Sequence, residues 1–418
     1  MVWMAIAAVV AGFALYVSKR PMDFRVYHYG ARGVFDGTRP VYGPASGLGW
    51  PMHYRYPPLF LLLFAPFAWL PLGASAALWL MLKFVVLIFL VRAIWNKLPP
   101  AEGTTAWLVP LLFAGPYVVQ EFRYGNAQFF VFALSVWSLL LVKEKPVLAG
   151  AALALAIAIK VWPLALLPFL LLQSREAAKE RSPGLTAGAT LFRRFAASIV
   201  LFTLILTILP SLYFGFRGNL GLLGEWFNQE FATQTGEEEI WFPSQSLRGV
   251  MMRYLTSIDY SHVPDSNYRQ VNITGLSPTT VRTAWFVASA AIYLGFLVLT
   301  YRRGGSSGWI GPALAFCLIA LLEPFTQKYA LVILLFPAIV AGRLTTNRMA
   351  RNLIYVGIGL VWIQNLIPGS TAQRWMQVLG LDFAAALPLT VALGWVSFRP
   401  ASAVTTYSSS RHILVTPE

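Results

Sequence analysis

Runs of apolar side chains recur along nearly the whole chain and are separated by short polar linkers. Many of these runs approach the length that a helix needs to cross a bilayer, about 20 residues. The pattern therefore predicts an all-α polytopic membrane protein with about twelve transmembrane helices. The predicted spans lie near residues 1–18, 73–91, 106–120, 127–142, 146–159, 161–173, 195–214, 281–300, 309–322, 329–342, 353–367 and 381–398.

Three stretches need separate interpretation. Residues 59–71 form an apolar run that is short for a span and contains two prolines, so we expect a juxtamembrane or re-entrant helix, although a crossing stays open. Residues 146–173 could form one long helix, but Lys160 and Pro163 are a poor pair at mid-bilayer, so two helices are predicted. Residues 1–18 lack a basic leading segment and a cleavage site, which favours a retained first helix over a signal peptide.

Composition supports the membrane assignment. Only 12% of the 418 residues are charged, against about 25% in a typical soluble domain, and the mean hydropathy is +0.62. The net charge of +15 would suit a nucleic-acid partner, but the basic residues lie in linkers between apolar runs, which indicates membrane topology instead. The one cysteine, Cys317, lies inside an apolar run, so neither an internal disulfide nor a cysteine-based metal site is expected.

The distribution of basic residues predicts which side of the membrane each linker faces. If residues 59–71 do not cross, the linkers on one side carry 16 Lys and Arg, and the short linkers on the other side carry four. The first set is therefore assigned to the cytoplasm. This topology predicts a single integral domain, residues 1–418, in the cell (inner or plasma) membrane. Its long extracytoplasmic loops lie at about 18–72 and 215–280, and its cytoplasmic tail lies at about 399–418.

Five segments that are far apart in the sequence place polar side chains near the outer membrane face. Ionisable groups at membrane depth are costly and often functional, so their convergence predicts a substrate site at that face. The alternative is that they are ordinary interfacial anchors, such as Lys and Arg side chains that reach toward the headgroups. The candidates are Asp23 and His28; Glu121, Arg123, Asn126 and Gln128; Lys160 and Trp162; Gln245, Ser246 and Arg248; and Glu323, Gln327 and Lys328.

Specific chemistry can be suggested for a few of these residues. Asp23 lies soon after the first apolar run, where a carboxylate at the interface could take the proton of an attacking hydroxyl. It could also be an ordinary turn or cap residue. Asp36 precedes a glycine and is interpreted as a turn residue. Four basic residues are candidates to hold an anionic phosphate, namely Arg123, Lys160, Arg248 and Lys328.

The first long loop is rich in tyrosine, which could form an interfacial aromatic belt or a platform for sugar rings. The sequence shows no dense group of carboxylates and histidines and no nucleotide-binding motif. Neither a metal nor a cofactor is therefore expected. The tyrosines are Tyr27, Tyr29, Tyr42, Tyr54 and Tyr56.

The motifs MDFRVY, GTRPVYG, RYPPLF, RYGNAQ, AIKVWP, SQSLRG and EPFTQKY follow one another along most of the chain. Their order and spacing resemble glycosyltransferase family 87, membrane enzymes of the C-type fold with juxtamembrane helices in a long first extracytoplasmic loop. The resemblance implies inverting transfer of a sugar, by default mannose, from a polyprenyl phosphate to a lipid or glycan acceptor at the outer face, without metal. It also implies that Asp23 is the base and that Lys160 and the SQSLRG loop lie near the donor.

The chain departs from the family pattern in two places. The family often shows GQxN where this chain has Gly125, Asn126 and Gln128, so the roles of these amides could differ. It also often carries a histidine near the positions of Lys328 and Tyr329, where none is present here. Handling of the acceptor could therefore differ from that in the mannosyltransferases of the family.

Other functions stay open at this point. Arabinofuranosyl or another pentosyl transfer from a polyprenyl phosphate is an alternative within the same class. A transporter or lipid flippase would carry paired ionisable residues at mid-membrane, for which Lys83 is a candidate, and often two related halves, which the sequence does not show. A scaffold in a membrane assembly would leave the polar outer-face residues unexplained. Membrane lipids are expected partners, and nucleic acid is not.

Overall fold

The computed structural model describes residues 10–17, 19, 21–46, 48, 52–100, 103–181, 185–235, 243–257, 270–302 and 308–398. Within these ranges every regular element is a helix and no strand occurs. Most of the predicted first span, parts of the second long loop and the predicted cytoplasmic tail lie outside the described residues. The α-helices are α1 (10–17), α2 (Met22–Phe35), α3 (Pro58–Ala68), α4 (Leu72–Lys97), α5 (Thr105–Tyr124), α6 (Gln128–Leu141), α7 (Pro146–Ile159), α8 (Leu167–Arg181), α9 (Leu185–Ile208), α10 (Ser211–Phe214), α11 (Phe216–Thr235), α12 (Leu247–Leu255), α13 (Pro278–Arg302), α14 (Ile310–Leu322), α15 (Leu335–Leu344), α16 (Arg348–Leu366), α17 (Ser370–Val378) and α18 (Leu381–Ser397).

Three helical segments of the described chain are long and apolar enough to cross a membrane. They are Leu72–Lys97, Thr190–Phe214 and Pro278–Arg302, with mean hydropathies of 2.4, 2.3 and 1.8. A 26-residue helix such as α4 reaches about 39 Å, which exceeds the hydrocarbon core of a bilayer. Helices α17 and α18 meet at 53° and together satisfy the same criterion. The chain is therefore an integral membrane protein, and the number of twelve spans stays a prediction.

Shorter apolar helices form the centre of the bundle. All but two of the 13 residues of α14 are buried, and so are eight of the ten residues of α15. A helix that is apolar on every side is stable only in such an interior. The predicted span at 329–342 is not one helix, because a 3₁₀ helix (Lys328–Leu334) precedes α15. Helices α5, α6 and α18 contribute further buried side chains to the same core.

The predicted break in the apolar run 146–173 is observed. Helix α7 ends at Ile159, and Lys160 has extended backbone angles, with φ −151° and ψ 135°. A 3₁₀ helix (Trp162–Leu166) follows before α8 begins. Pro163 lacks the N–H that a continuous helix would need there. The break leaves the lysine between two apolar segments and not in the middle of a long helix.

The apolar run at 59–71 folds as the short helix α3. Its 11 residues reach about 16 Å, roughly half of the hydrocarbon core, so this helix alone is too short to cross. Pro58 occupies its first turn, where no N–H is needed. Helix α3 packs on α2 through an aromatic cluster in which the Phe24 ring lies 5.2 Å from Phe64 and 5.9 Å from Trp79, measured between ring centroids. This small second core holds α2 in place.

The tyrosines of the first loop do not form a surface belt or an open platform. Tyr27, Tyr42, Tyr54 and Tyr56 are all buried, with at most 6% of each side chain exposed. Both predicted roles are therefore wrong for these four residues. Burial of these large rings stabilises the protein through packing, and their hydroxyl groups then need hydrogen-bond partners inside the protein. Tyr29 differs because it is only partly buried.

Candidate active site

Asp23 lies in the first turn of α2, where a carboxylate also favours the positive end of the helix dipole. Its Oδ2 accepts a hydrogen bond of 2.7 Å from Nδ2 of Asn126, which follows the end of α5. Burial raises the pKa of Asp23 to about 6, although the Asn126 hydrogen bond and the nearby charge of Lys160 oppose this rise. Asp23 as a whole is half-buried.

The orientation of the Asn126 amide is fixed by its neighbours. Its Oδ1 accepts from the hydroxyl of Tyr56 at 3.1 Å and from the backbone N–H of Gln128 at 2.8 Å. Only the NH₂ group can then face Asp23. The Tyr27 and Tyr56 hydroxyls lie 2.8 Å apart, and because the Tyr56 proton points to Asn126, Tyr27 must donate to Tyr56. A buried chain of polar groups thus ends on the carboxylate.

A tight glycine turn brings α2 against the end of α5. Gly125 ends α5 with φ +70°, a left-handed conformation that glycine adopts without strain. A Cβ atom here would lie 2.8 Å from the Cβ of Phe24, so any side chain would push α2 away. The indole Nε1 of Trp79 donates to the Gly125 carbonyl at 3.0 Å. Phe24, the residue next to Asp23, therefore packs directly on the turn that precedes Asn126.

Lys160 lies next to the Tyr56 ring. Its Nζ is 5.9 Å from the ring centroids of both Tyr56 and Tyr329, which is within the range of cation–π attraction. Burial lowers the pKa of Lys160, and the nearby charge of Glu323 opposes this shift most. A bound phosphate would favour the protonated ammonium by the same electrostatic effect.

Glu323 is a second carboxyl near Lys160. It directly follows α14, and its Oε1 accepts a hydrogen bond of 2.9 Å from Thr326 Oγ1. Burial raises the pKa of Glu323 to about 7, while Lys160 and Thr326 oppose the rise. The carboxyl therefore changes charge close to neutral pH. The sequence pattern predicted Glu323 at the outer face, but it did not indicate that Thr326 and Lys160 are its neighbours.

The SQSLRG and EPFTQKY motifs are hydrogen-bonded to each other. The N–H of Gln245 donates to the Thr326 carbonyl at 2.5 Å, and Ser246 Oγ donates to the Pro324 carbonyl at 3.1 Å. Ser246 also caps α12 by accepting the N–H of Gly249, as a serine commonly does at this position. Two segments that are about 80 residues apart in sequence are thus joined by hydrogen bonds.

Other predicted site residues are placed with different partners. Arg248 is buried and its guanidinium carbon lies 5.4 Å from the centroid of the Trp285 ring. Lys328 Nζ donates to Asn365 Oδ1 at 3.1 Å. His28 is buried on α2, where its Nε2 donates to the Leu70 carbonyl at 2.8 Å. Since His28 lies about 140° around the helix from Asp23, it faces the α3–α4 connection.

The remaining predicted residues are less closely connected to Asp23. Arg123 is exposed in the last turn of α5. Gln128 is buried at the start of α6, and its side-chain oxygen has no hydrogen-bond partner in the described part of the chain. Gln327 is half-buried immediately before the 3₁₀ helix that begins at Lys328. Asp23, Asn126 and Lys160 therefore form the central group, and Arg123, Gln128 and Gln327 lie at its edge.

A fully buried ion pair lies beneath this cluster. Lys83 Nζ on α4 and Glu121 Oε2 on α5 are 2.7 Å apart, and neither side chain is exposed to solvent. Glu121 Oε1 also accepts the N–H of Phe129 at 2.9 Å. Among the described residues, no three His, Cys, Asp or Glu side chains are grouped closely enough to hold a metal ion.

Fold and site together define a helical integral membrane protein with a half-buried carboxylate and a lysine at the ends of its helices. The sequence pattern of glycosyltransferase family 87 matches residues 54–274, which is more than half of the chain. The chain belongs to glycosyltransferase family 87. Asp23 itself lies before the matched residues, while Asn126, Lys160 and the SQSLRG loop lie within them.

Two curated relatives are similar to part of the chain. Both are named polyprenol-phosphate-mannose-dependent alpha-(1-2)-phosphatidylinositol mannoside mannosyltransferase. The protein from Mycobacterium tuberculosis is 30% identical over 170 residues, which cover 36% of this chain and 40% of that protein. The protein from Mycolicibacterium smegmatis is 30% identical over 172 residues, covering 36% and 38%. The matched region spans about two fifths of the length of these relatives.

Proposed function

We propose that the protein transfers a sugar, most simply mannose, from a polyprenyl phosphate to a lipid or glycan acceptor. The transfer occurs at the extracytoplasmic face of the cell membrane, inverts the anomeric carbon and needs no metal or other cofactor. The observation that carries this proposal is the half-buried Asp23, which accepts a hydrogen bond from Asn126 and lies near the charge of Lys160. Membership of the family and the names of the two relatives support the class of donor.

In the proposed reaction, the Asp23 carboxylate takes the proton of the acceptor hydroxyl. The hydroxyl oxygen then forms a bond to the anomeric carbon of the sugar while the bond from that carbon to the phosphate oxygen breaks. The electron pair leaves with the polyprenyl phosphate. Lys160 stabilises the charge that develops on this leaving group, as fixed cations do in other transfers from phosphate esters. Attack opposite to the leaving group accounts for inversion.

The other candidate residues would act around this centre. Arg248 sits on the SQSLRG loop, which joins the loop that carries Glu323, so both loops could border the donor phosphate. Arg123 and Lys328 would offer more distant positive charge. Gln327 is half-buried and would offer its amide group to sugar hydroxyls. Gln128 and Gln245 are buried, and Gln245 Nε2 donates to the Gln377 carbonyl at 2.9 Å, so these two amides would act indirectly. His28 and Ser246 would act indirectly, since each already hydrogen-bonds a backbone carbonyl.

The sidedness in this proposal rests on the basic residues. The linkers assigned to the cytoplasm carry 16 Lys and Arg, against four in the short linkers on the other side. Lys160 and Lys328, two of those four, lie at the end that also carries Asp23 and Glu323. Because the positive-inside rule disfavours basic residues in short linkers outside the cell, these two lysines are better explained by a ligand than by topology.

Transfer by the purified protein tests the proposal directly. The protein would be reconstituted in lipid nanodiscs with polyprenyl phosphate carrying radiolabelled mannose and a lipid extract from its own source. We expect a labelled product whose anomeric configuration is opposite to that of the donor. If only a polyprenyl-phosphate arabinose donor supports transfer, the transferred sugar is a pentose and not mannose. Movement of a labelled lipid across vesicles without transfer would instead support a flippase.

The dependence of kcat/KM on pH should report the pKa of Asp23. Because burial raises this pKa to about 6, the carboxylate loses its charge as the pH falls through that value, and kcat/KM should fall with it. The Asn126 amide lowers the pKa by donating to the carboxylate. Asn126→Ala removes this donor, so the acidic limb of the profile should move to higher pH.

Two controls make this pH measurement specific. Asn272→Ala removes an amide that donates to the Thr274 carbonyl in the second loop, and it should leave the acidic limb in place. Glu323→Gln removes the other carboxyl that titrates near neutral pH, and an acidic limb near pH 6 should persist in this variant. An acidic limb that disappears with Glu323→Gln, or that Asn126→Ala does not move, would assign the base to another group.

A further inference from the structure

Helix α11 begins one residue after a membrane-spanning segment. The apolar segment Thr190–Phe214 ends at Phe214, and Gly215 turns the chain with φ +72° before α11 starts at Phe216. Only glycine adopts this backbone conformation readily, so the direction change is encoded in the sequence. The start of α11 therefore lies close to the membrane surface, because it is tied to the end of a span.

One edge of α11 is fixed to the first loop. Glu230 accepts two hydrogen bonds from the Arg55 guanidinium, at 3.1 and 2.9 Å. Trp226 Nε1 donates to the Arg55 carbonyl at 3.1 Å. The Gln229 amide accepts from the N–H of Gly43 and donates to the Tyr54 carbonyl, both at 2.8 Å. This edge holds the chain immediately before Tyr56, whose hydroxyl supports Asn126.

The outward surface of α11 is divided into two further sectors. At about 100° per residue, Phe216, Leu220 and Phe227 fall within about 40° of one another. Their side chains are 61%, 53% and 62% exposed. Glu225 and Asn228 are also exposed, but they lie about 100° or more around the helix from Phe227. The helix thus has a protein-facing edge, an apolar sector and a polar sector.

The apolar sector continues an apolar surface that already exists. On the preceding span, Leu204, Ile208 and Leu212 are 56%, 51% and 85% exposed, as expected for side chains that face lipid. Only 22% of the apolar window in that span is buried inside the protein. An exposed apolar sector beside an exposed polar sector is what a helix in the interface plane of a membrane presents to lipid and to water.

We propose that α11 is an interfacial helix, with Phe216, Leu220 and Phe227 embedded in the boundary between headgroups and acyl chains of the membrane that the protein spans. The polar sector faces water, and the remaining edge is hydrogen-bonded to the chain around Arg55. The partner of this surface is the lipid bilayer itself. The inference does not depend on the proposed transfer reaction, since it concerns where the helix lies.

Nitroxide labels placed around α11 test this position. Phe227→Cys and Leu220→Cys sample the apolar sector, and Glu225→Cys and Asn228→Cys are the matched controls in the polar sector. The native chain has one cysteine, Cys317, which is fully buried, so the unsubstituted protein provides the labelling blank. If the blank reacts, Cys317→Ala replaces it as the background, and size-exclusion profiles establish that each variant is folded.

The readout is accessibility to oxygen against a water-soluble nickel chelate in nanodiscs of phosphatidylcholine and phosphatidylglycerol. We expect labels at positions 220 and 227 to favour oxygen and labels at 225 and 228 to favour the chelate, by at least several fold. Equal access of the chelate at all four positions would overturn the proposal. So would spin–spin broadening at 227 that disappears on dilution with unlabelled protein, because a second copy would then cover this surface. Oxygen access at 227 that requires added polyprenyl phosphate would identify a donor tail in place of the bilayer.

Discussion

Asp23→Asn is expected to lower the rate of sugar transfer by about 10²–10⁴-fold, the range that a positioned general base contributes. Asparagine cannot take the proton of the acceptor hydroxyl. It has nearly the same volume, and its carbonyl oxygen can still accept from the Asn126 NH₂ group that now binds Asp23 Oδ2 at 2.7 Å. The fold and donor binding should therefore be retained. The measurement is the initial rate of radiolabelled transfer in nanodiscs, with the thermal unfolding midpoint recorded for each variant.

Asp36→Asn is the matched control on the same helix. Asp36 caps the other end of α2 and pairs with Arg32 across 3.6 Å, with both side chains exposed. An exposed pair contributes little to stability, so this variant should transfer sugar at the native rate. A native rate in Asp23→Asn would exclude Asp23 as the base, and the next carboxyl to test would be Glu323. Loss of transfer in both variants would indicate damage to α2 and not to a base.

The proximity of Asp23, Asn126 and Lys160 was predictable because polar residues at the ends of neighbouring apolar segments meet at one membrane face. This argument needs only the length and order of the apolar runs. It also placed the break at Lys160 correctly, since proline and lysine both disfavour a continuous helix there. Their catalytic and binding roles stay predictions until the variants are measured.

The buried tyrosine chain was not predictable in the same way. Tyr56 binds Asn126, and the two are 70 residues apart in the sequence. Hydrophobic periodicity reports which face of a helix is buried, but it does not report which side chain meets another across the protein. A tyrosine near a membrane is commonly interfacial, and only the packing of α2 on α3 and α4 buries Tyr27 and Tyr56 here.

Helices α2 and α11 show a second limit of the sequence pattern. Both lie in stretches that the pattern identified as long polar loops. Helix α2 has Pro21 at its N-cap position and no side-chain cap, so the usual signal for a helix start is missing. Helix α11 carries three separate sectors, which weakens the two-sided pattern by which amphipathic helices are usually found. Their existence follows from contacts with other segments more than from local sequence.

Glu121→Gln is expected to destabilise the protein by about 3–5 kcal/mol, because it leaves the Lys83 ammonium without its counter-charge in a fully buried position. Glutamine keeps the shape and can still accept the Phe129 N–H, so the loss is mainly that of the charge. The free energy of unfolding would be measured in mixed micelles by titration with a denaturing detergent. The double variant Lys83→Met with Glu121→Gln removes both charges and should recover most of the lost stability.

A second ion pair on α4 provides the control for this prediction. Lys97 pairs with Glu144, but their side chains are 38% and 49% exposed. Glu144→Gln should therefore change the free energy of unfolding by no more than about 1 kcal/mol. If Glu121→Gln were no more harmful than Glu144→Gln, the Lys83 site would be hydrated or Lys83 would be neutral in the folded protein.

The double variant also separates the two functional classes that the sequence left open. Lys83 and Glu121 carry opposite charges, so the double variant leaves the net charge in the neighbourhood of Asp23 unchanged. In a glycosyltransferase, the pair would serve the fold, and sugar transfer should return together with stability. In a transporter, a mid-membrane ion pair would take part in the transport cycle, and its neutral replacement should not restore movement of substrate. Transfer by a stable protein that lacks both charges would thus support the enzyme on grounds independent of Asp23.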